Sequence, residues 1–166
     1  MNSDIRTTAA FTGHRSYRNQ AVAELDRTVE QLAREGCTRF LCGMAVGFDM
    51  AAAESVMRMR TLLTDRKIRL VAVVPFEGQA RRFPAADKAR YERILAAADE
   101  VLTLAEGYSP ECYRCRNDYL VDNASVVVTW YDGSPTGGTH YTVARARRSG
   151  RRIINLRPAE QLELEF

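Results

Sequence analysis

The chain has 166 residues, a length that favours one ordinary domain with a sizeable core, and we expect that domain to span residues 1–166. Its formal net charge of +3 is too small to indicate nucleic-acid binding by itself. No apolar run approaches membrane-spanning length, and we expect no signal peptide. The composition therefore predicts a cytoplasmic protein without a membrane partner, for which nucleic acid is a weaker candidate partner than a small molecule.

The four cysteines leave two interpretations open. A disulfide framework is not expected in a cytoplasmic chain. A four-cysteine zinc site is the first interpretation, but neither close pair has a second pair at the usual ribbon spacing. We favour the second, in which one pair flanks or ends a buried strand and the other lies on a loop, so we assign no metal ligands. The cysteines are Cys37, Cys42, Cys112 and Cys115.

Strand-like and helix-like segments alternate along the first half of the chain. A short strand over 7–12 precedes a helix whose apolar residues recur at three- and four-residue steps, and Gly36 ends that helix. A second strand over 39–42 leads into a second amphipathic helix over 48–63. The apolar run over 68–74 predicts a third strand, which the following proline stops.

The same alternation continues in the second half. A helix over 91–98 precedes a strand over 100–104, and a loop rich in glycine and proline follows over 105–112. A helix over 116–123 then leads to a strand over 126–130. The remaining predicted elements are a helix over 138–150, a strand over 152–156 and a short terminal element from Pro158.

This pattern predicts an α/β fold with a mostly parallel, doubly wound sheet. The strands are nearly uninterrupted Val/Ile/Leu runs, which is typical of parallel strands covered by helices on both faces. Ligands of such sheets lie beyond the carboxyl ends of the strands. Glycines, an arginine and a histidine follow the strands, so we expect them to gather at one edge. The segments concerned are 13–15, 43–47, 75–77 and 133–139.

The segment after strand 126–130 is the most informative. It runs through Gly133 to Gly137, Gly138 and Thr139 at the start of a helix. Free N–H groups of a first helical turn and the helix dipole both favour an anion. Glycine lets the backbone approach the ligand, and the threonine hydroxyl adds a donor. This turn predicts a phosphate site.

A similar turn follows the first strand. Thr12 and Gly13 would let a ligand contact the backbone, and Arg15 suits the forked pairing of guanidinium with phosphate. His14 has equal claims to a contact with a phosphate or base, to acid–base chemistry, and to a solvated turn. We include all four residues in the predicted ligand site.

The third glycine turn contains Gly43, Ala45 and Gly47, and it ends at Asp49 in the first turn of the next helix. The two glycines permit close approach to a second helix N-terminus. Asp49 either complements the helix dipole or accepts a hydrogen bond from a ribose hydroxyl. The spacing is not GxGxxG, so no dinucleotide fingerprint is claimed.

Arg116 and Asn117 are predicted at the start of the helix after the glycine and proline loop. A guanidinium there would add positive charge to a phosphate site. The alternative is that Arg116 neutralises Glu111 or Asp118. We include both Arg116 and Asn117 in the predicted site.

Several aromatic and basic side chains are further candidates for contacts with a nucleotide or a nucleic acid. Tyr17, Trp130 and Tyr131 are candidate surfaces for base stacking, although Trp130 ends a core strand and is more typical of buried packing. A cluster of arginines resembles a nucleic-acid patch, but cations are favoured at a helix C-terminus in any case, so we favour a solvated face. These arginines are Arg145, Arg147, Arg148, Arg151 and Arg152.

Taken together, the chain resembles the SLOG superfamily in its YpsA-like branch. The resemblance runs from about residue 5 to residue 157. It implies a Rossmann-like fold that binds nucleotides or nucleotide derivatives, and many members are proposed sensors or processors of such ligands in stress or defence. The motifs that carry it are 11–15, 43–54, 74–76, Arg116-Asn117 with Val121-Asp122, and 137–139.

One group of relatives, the LOG-type phosphoribohydrolases, cuts the base from a nucleoside monophosphate. Their loop reads Pro-Gly-Gly-x-Gly-Thr-x-x-Glu; here Gly138-Thr139 matches, but the glutamate position is Thr142. Arg116 falls at a substrate-binding arginine, and Asn117 replaces the following lysine. Losing the glutamate removes the stabiliser of an oxocarbenium-like centre. Hydrolysis would then need a substitute carboxylate: Asp49, Glu54 or Glu77.

A second group of relatives, the DprA-type proteins, binds single-stranded DNA, and their glycine turn resembles residues 43–49. We expect no separate accessory domain here. The sequence therefore predicts binding or sensing of a nucleotide-like, phosphorylated small ligand at the carboxyl edge of the sheet, with no further cofactor assigned. The alternatives are N-glycosidic hydrolysis of nucleoside monophosphates and binding of single-stranded nucleic acid. The resemblance leaves a homodimer open.

Overall fold

Six strands form one sheet in which every neighbouring pair is parallel. The computed structural model describes residues 3–158, and the terminal element expected from Pro158 lies outside the described residues. Each predicted strand is present, with ends that agree within one residue. The strands are β1 (Thr8–Gly13), β2 (Arg39–Cys42), β3 (Arg69–Val74), β4 (Glu100–Thr103), β5 (Val126–Trp130) and β6 (Arg152–Asn155).

The strand order β4-β3-β2-β1-β5-β6 makes the sheet doubly wound. From β1 the chain adds strands outward on one side as far as β4, then crosses to β5 and β6 on the other. β1 pairs in register with both central neighbours, Phe11 lying beside Cys42 of β2 and Val128 of β5. The predicted Rossmann-like α/β fold is confirmed, and the sheet is wholly parallel.

Helices cover both faces of the sheet. The helix that follows β1 packs Leu25, Val29 and Leu32 against it at three- and four-residue steps. A short 3-10 turn, Gln79–Arg82, follows β3. The helices are α1 (Ser3–Arg6), α2 (Val22–Arg34), α3 (Phe48–Leu62), α4 (Ala85–Ala97), α5 (Cys112–Asp122) and α6 (Gly138–Arg148).

Alternating strand side chains divide the core into two layers. Phe11 and Phe40 stack with ring centroids 6.2 Å apart in the layer that α2, α3 and α4 cover. Their neighbours Ala10 and Leu41 point the other way, into a layer closed by Leu120 of α5. Because successive strand residues face opposite sides, these fully apolar strands bury both faces.

The start of α5 differs from the prediction. The helix begins at Cys112 rather than near Arg116, so Cys112 and Cys115 lie in its first turn and the loop assigned to them was wrong. The aliphatic residues of α5 lie in its second half, so its first turn shows no aliphatic period. The other pair agrees with the structural interpretation, since Cys42 ends β2 and Cys37 precedes it. All four thiols are free.

The topology creates a switch point between β1 and β5. The connection from β1 passes to α2, and the connection from β5 passes to α6 on the opposite face, so the two loops diverge at the carboxyl edge. Ligands of doubly wound sheets bind in the crevice that such divergence leaves. Within residues 3–158 no helix is both long and apolar enough to cross a membrane.

Candidate functional site

A cleft of about 370 Å³ opens at the switch point, beyond the carboxyl ends of β1 and β5. Loops from both strands, the first turn of α3, helix α5 and the start of α6 border it. Eleven of the fourteen residues predicted for the site line this cleft, and so do Tyr113 and Thr136, which the sequence analysis missed. The eleven are Thr12, Gly13, His14, Arg15, Ala45, Asp49, Arg116, Asn117, Gly137, Gly138 and Thr139.

Three predicted glycines lie outside the lining. A Cβ on Gly43 would lie 2.8 Å from Cδ of Arg116, so this glycine lets the arginine pack against the strand end. Gly47 has a φ of +84°, and a Cβ there would lie 2.6 Å from the carbonyl oxygen of Arg15. These two glycines therefore allow the close packing of Arg116 and of the Arg15 backbone in the walls of the cleft. Gly133 lies in the loop between β5 and α6.

His14 ties the loop after β1 to the loop after β5. Its Nε2 lies 2.8 Å from Oδ1 of Asp132 and 3.2 Å from the backbone nitrogen of the same residue. Burial, reinforced by the charge of Arg157, lowers the pKa of His14 below its ordinary value. A neutral imidazole either accepts from the Asp132 N–H or donates to its carboxylate through Nε2, according to its tautomer, and either contact positions the two loops.

Arg116 places a buried positive charge in the cleft wall. Its side chain lies on α5 and is only 6% exposed. Nη1 donates to the carbonyl of Gly43, and Nε donates to Oδ1 of Asn117 at 2.8 Å. Arg116 forms no ion pair with any described residue, so the alternative pairing with Glu111 or Asp118 was wrong.

Asp49 is the one carboxylate among the residues that line the cleft. It lies in the first turn of α3 and accepts a hydrogen bond from the backbone N–H of Ala45 at 3.3 Å. Burial raises its pKa to about 6, against the opposing charge of Arg116. The same burial lowers the pKa of Arg116, although a guanidinium stays protonated at any physiological pH. Asp49 is therefore mostly ionised at pH 7 and half protonated near pH 6.

The start of α6 is open to an anion. Gly137, with a φ of +100°, is the N-cap residue, and no side chain caps the helix. The first turn contains no acidic residue, so its positive dipole end is not neutralised locally. Thr139 is buried in this turn, and the amide nitrogen of Asn117 lies 3.5 Å from where a Cβ on Gly138 would stand.

Thr142 lies beneath this turn rather than in the cleft. Its hydroxyl donates to the carbonyl of Gly138 at 2.7 Å, and its side chain is fully buried. Of the carboxylates that were candidates to replace the missing glutamate, Glu54 and Glu77 also lie outside the cleft lining. Glu54 is paired with Arg90, and Glu77 borders a neighbouring groove.

Tyr113 joins the two arginines of the cleft. The guanidinium carbon of Arg15 lies 5.9 Å from the centroid of the Tyr113 ring, and that of Arg116 lies 5.6 Å from it. Tyr113 precedes Arg116 by three residues on α5, so both project from one face of the helix. That spacing was the sequence signal by which Tyr113 was identifiable.

The other aromatic candidates are mostly buried. Tyr17 contacts Phe48 and Trp130 edge to face, each at 5.4 Å between ring centroids, so stacking of a base on Tyr17 is excluded. Trp130 is buried, as its place at the end of a core strand indicated. Tyr131 is half-buried, and its hydroxyl lies 2.9 Å from Nδ1 of His140.

Ion pairs occupy part of the arginine cluster. Arg145 pairs with Asp122 at 2.9 Å, and Arg152 pairs with Glu35 at 2.7 Å. Arg151 donates instead to the carbonyl of Val121 at 3.0 Å. These contacts favour the structural interpretation of the cluster.

Fold and cleft together define a Rossmann-like α/β protein with an anion-suited crevice at the switch point of its sheet. The model of the YspA SLOG family matches residues 10–156. The chain belongs to this family.

Individual relatives support the same placement. The uncharacterised SPbeta prophage-derived protein YoqJ of Bacillus subtilis is 28% identical over 150 residues, which cover 82% of this chain and 86% of YoqJ. Among solved structures, DNA processing protein A from Streptococcus pneumoniae aligns with a TM-score of 0.69 at 20% identity, over 95% of this chain. This chain spans about half of that protein, 52% of its length.

A second solved structure has the same fold. DNA processing protein A from Helicobacter pylori, described by its single-stranded DNA binding mode, aligns with a TM-score of 0.66 at 16% identity. The alignment covers 90% of this chain and 65% of the other. At such identities the similarity establishes the fold alone.

Proposed function

We propose that the chain binds a phosphorylated small molecule of the nucleotide class in the cleft at the switch point. In this proposal the phosphate lies at the start of α6, between Thr139 and Arg116, and Arg15 closes over it from the loop after β1. The observation that carries the proposal is the buried guanidinium of Arg116, which forms no direct ion pair with a described residue and faces the same cleft as an uncapped helix N-terminus.

The cost of burying a charge supports a ligand for Arg116. Removing a cation from water is unfavourable unless an anion and hydrogen bonds compensate it. Among the described residues, the guanidinium has only one carbonyl and one amide oxygen as hydrogen-bond acceptors. Asp49 opposes the charge of Arg116 but forms no ion pair or hydrogen bond with its guanidinium. A phosphate would add a contacting anion and further acceptors, in the forked geometry that guanidinium favours.

The start of α6 supports the same position for the phosphate. First-turn N–H groups without a capping side chain bind anions well, and the helix dipole adds to the attraction. The lone carboxylate, Asp49, lies in the first turn of α3 instead. It is suited to accept a hydrogen bond from a ribose hydroxyl, which favours a phosphorylated sugar or nucleotide over a bare anion.

Thermal unfolding in the presence of inorganic phosphate, the four nucleoside monophosphates, NAD and ADP-ribose tests the proposal. A probe at ~100 times its dissociation constant should raise the free energy of unfolding by roughly 2.7 kcal/mol. Arg15→Gln should weaken a genuine ligand about tenfold, because one charge-assisted contact is lost. Arg148→Gln, an exposed arginine at the far end of α6, is the matched control. Stabilisation by none of these probes would overturn the proposal.

A second candidate function is hydrolysis of an N-glycosidic bond, with Asp49 in place of the glutamate that Thr142 replaces. The observation that favours it is a buried carboxyl group in the cleft with a pKa raised to about 6. Carboxyl groups with pKa values near the working pH are suited to acid–base chemistry. Chromatography of nucleoside monophosphates after incubation should then reveal free base, and Asp49→Asn should stop its release. Release unchanged in Asp49→Asn or in Arg116→Ala would exclude this site.

Binding of single-stranded nucleic acid is the third candidate, supported by the fold shared with the two DNA processing proteins. Phosphate contacts to a polymer release counterions, so binding should weaken steeply with salt. A gel shift of single-stranded oligonucleotides at low salt that disappears as the salt concentration rises would support this function. No shift at low salt excludes it.

A further inference from the structure

A second concavity, which we call the side groove, adjoins the cleft and has about 800 Å³, more than twice the volume of the cleft. Arg15 and Tyr113 border both spaces. The side groove continues from them past the end of β3 and the loop before α5. A ligand held in the cleft would therefore extend into the groove beside Tyr113.

Three aromatic rings form one wall of the side groove. Phe76 packs against Tyr108 with centroids 5.6 Å apart and a 75° angle, and against Tyr113 at 5.8 Å and 79°. Tyr108 is 66% exposed although its ring contacts Phe76 and lies 6.5 Å from the ring of Tyr113. An aromatic ring that neighbouring rings position and that stays largely exposed is a platform for a planar group.

The charges of the side groove are mixed. Arg81 and Arg82 border it together with Glu77 and Glu106, and none of these four side chains forms an ion pair with a described residue. The two carboxylates oppose a second phosphate, since like charges repel. They are good acceptors for hydroxyl and amino groups, which a ribose and a nucleobase carry.

We propose that the side groove binds the nucleoside end of the ligand, with the base stacked on Tyr108. This inference rests on the proposed function, because the phosphate of the same molecule must lie in the cleft. Tyr113 marks the junction, where Arg15 lies against its ring and reaches both spaces. The site thus recognises a phosphorylated nucleoside rather than a phosphorylated sugar alone.

Equilibrium titration compares the four nucleoside monophosphates with ribose 5-phosphate, which keeps the phosphate and sugar but lacks the base. At least one nucleotide should bind about tenfold tighter than ribose 5-phosphate, the gain expected from stacking one base. Tyr108→Ala should remove that gain and leave the affinity for ribose 5-phosphate unchanged. Tyr108→Trp should restore it. Leu62→Ala, a 70% exposed apolar side chain at the end of α3, is the matched control.

Each other result is decisive. Two results overturn the proposal that the side groove binds the nucleoside, while leaving the phosphate site in place. One is equal affinity for nucleotides and ribose 5-phosphate, and the other is a Tyr108→Ala variant that keeps the full gain in affinity. Failure of all five compounds overturns the assignment of the groove, and it overturns the phosphate site as well when inorganic phosphate, NAD and ADP-ribose also fail to stabilise the chain. An oligonucleotide that binds tighter than every monophosphate, and that Tyr108→Ala weakens, assigns the groove to single-stranded nucleic acid instead.

Discussion

Two glycine turns, one between β2 and α3 and the other between β5 and α6, have similar sequences but different surroundings in the structure. Each runs from a buried strand through glycines to a helix, and Gly47 and Gly137 are the two N-cap residues. At Gly47 a Cβ would lie 2.6 Å from a backbone oxygen, whereas at Gly137 it would meet nothing within 4 Å. The turn before α3 is therefore filled by the backbone of Arg15, whereas the turn before α6 is open.

The second residue of each helix extends this contrast. In α3 it is Asp49, whose carboxylate neutralises the helix dipole and accepts from the backbone of Ala45. In α6 it is Thr139, which leaves the positive end of the dipole available. A strand followed by a glycine turn and a helix start is therefore not enough to define an anion site. The site also needs a first turn that no carboxylate of the chain occupies.

Alanine substitution at the two N-cap glycines should give the largest difference. Gly47→Ala adds a methyl group against the backbone of Arg15 at a positive φ, so we expect it to lower the free energy of unfolding by about 3 kcal/mol or more. Gly137→Ala has the strained φ without the clash and should cost roughly 1–2 kcal/mol. Urea unfolding measures both. Equal losses would remove the distinction between a filled turn and an open one.

The buried carboxylate of α3 should make stability depend on pH. The pKa of Asp49 rises from 3.8 to about 6 on folding, so the folded chain binds more protons within that interval. Its contribution to stability therefore falls as the pH rises from 4 to 7, by roughly 2 kcal/mol.

Asp49→Asn isolates this contribution, because the amide does not titrate. Unfolding of both proteins is measured in urea at pH 4 and pH 7. The stability of the variant relative to the native chain should increase by that same amount between the two values. A constant difference at both pH values would contradict a raised pKa.

A smaller effect is expected at the open turn. Sulfate stays a dianion from pH 5 to pH 8, so any change in its binding over that range comes from the protein. Protonation of Asp49 removes a negative charge from the cleft, and whatever protonation of His14 falls within this range adds a positive one. We expect sulfate to bind roughly fivefold tighter at pH 5 than at pH 7.5.

The Asp49→Asn variant again separates the two groups. Most of the pH dependence of sulfate binding should disappear in it, and the part due to His14 should persist. Calorimetric titration measures both proteins at each pH. Tighter binding at pH 7.5 than at pH 5 would place the anion outside the reach of both groups.

Much of the fold was predictable because its signals are local. The mostly apolar runs over residues 126–130 and 70–74 have few alternatives to buried parallel strands. The start of α5 was missed because its first turn contains no aliphatic residue and follows a loop rich in glycine and proline. Its position is fixed by the backbone hydrogen bond from Cys115 to Glu111, at 2.9 Å, rather than by a capping side chain.

The candidate site was predictable only as a set of neighbours. Strand ends must converge at one edge of a parallel sheet, which brought Gly13, Asp49 and Gly138 to one cleft. The role of Gly43 depends on Arg116, 73 residues further along the chain, which packs against it. No local pattern encodes such a contact. The exposed face of Tyr108 is equally a property of the assembled loops.

The most direct test converts the open turn into a copy of the filled one. Thr139→Asp places a carboxylate at the second residue of α6, where Asp49 lies in α3, and Thr139→Val removes only the hydroxyl. Calorimetric titration with the four nucleoside monophosphates is run on all three proteins. We expect the native chain to bind at least one nucleotide, Thr139→Val to bind it about tenfold more weakly, and Thr139→Asp to bind it at least about a hundredfold more weakly. A Thr139→Asp protein that binds as tightly as the native chain would contradict a phosphate at the start of α6.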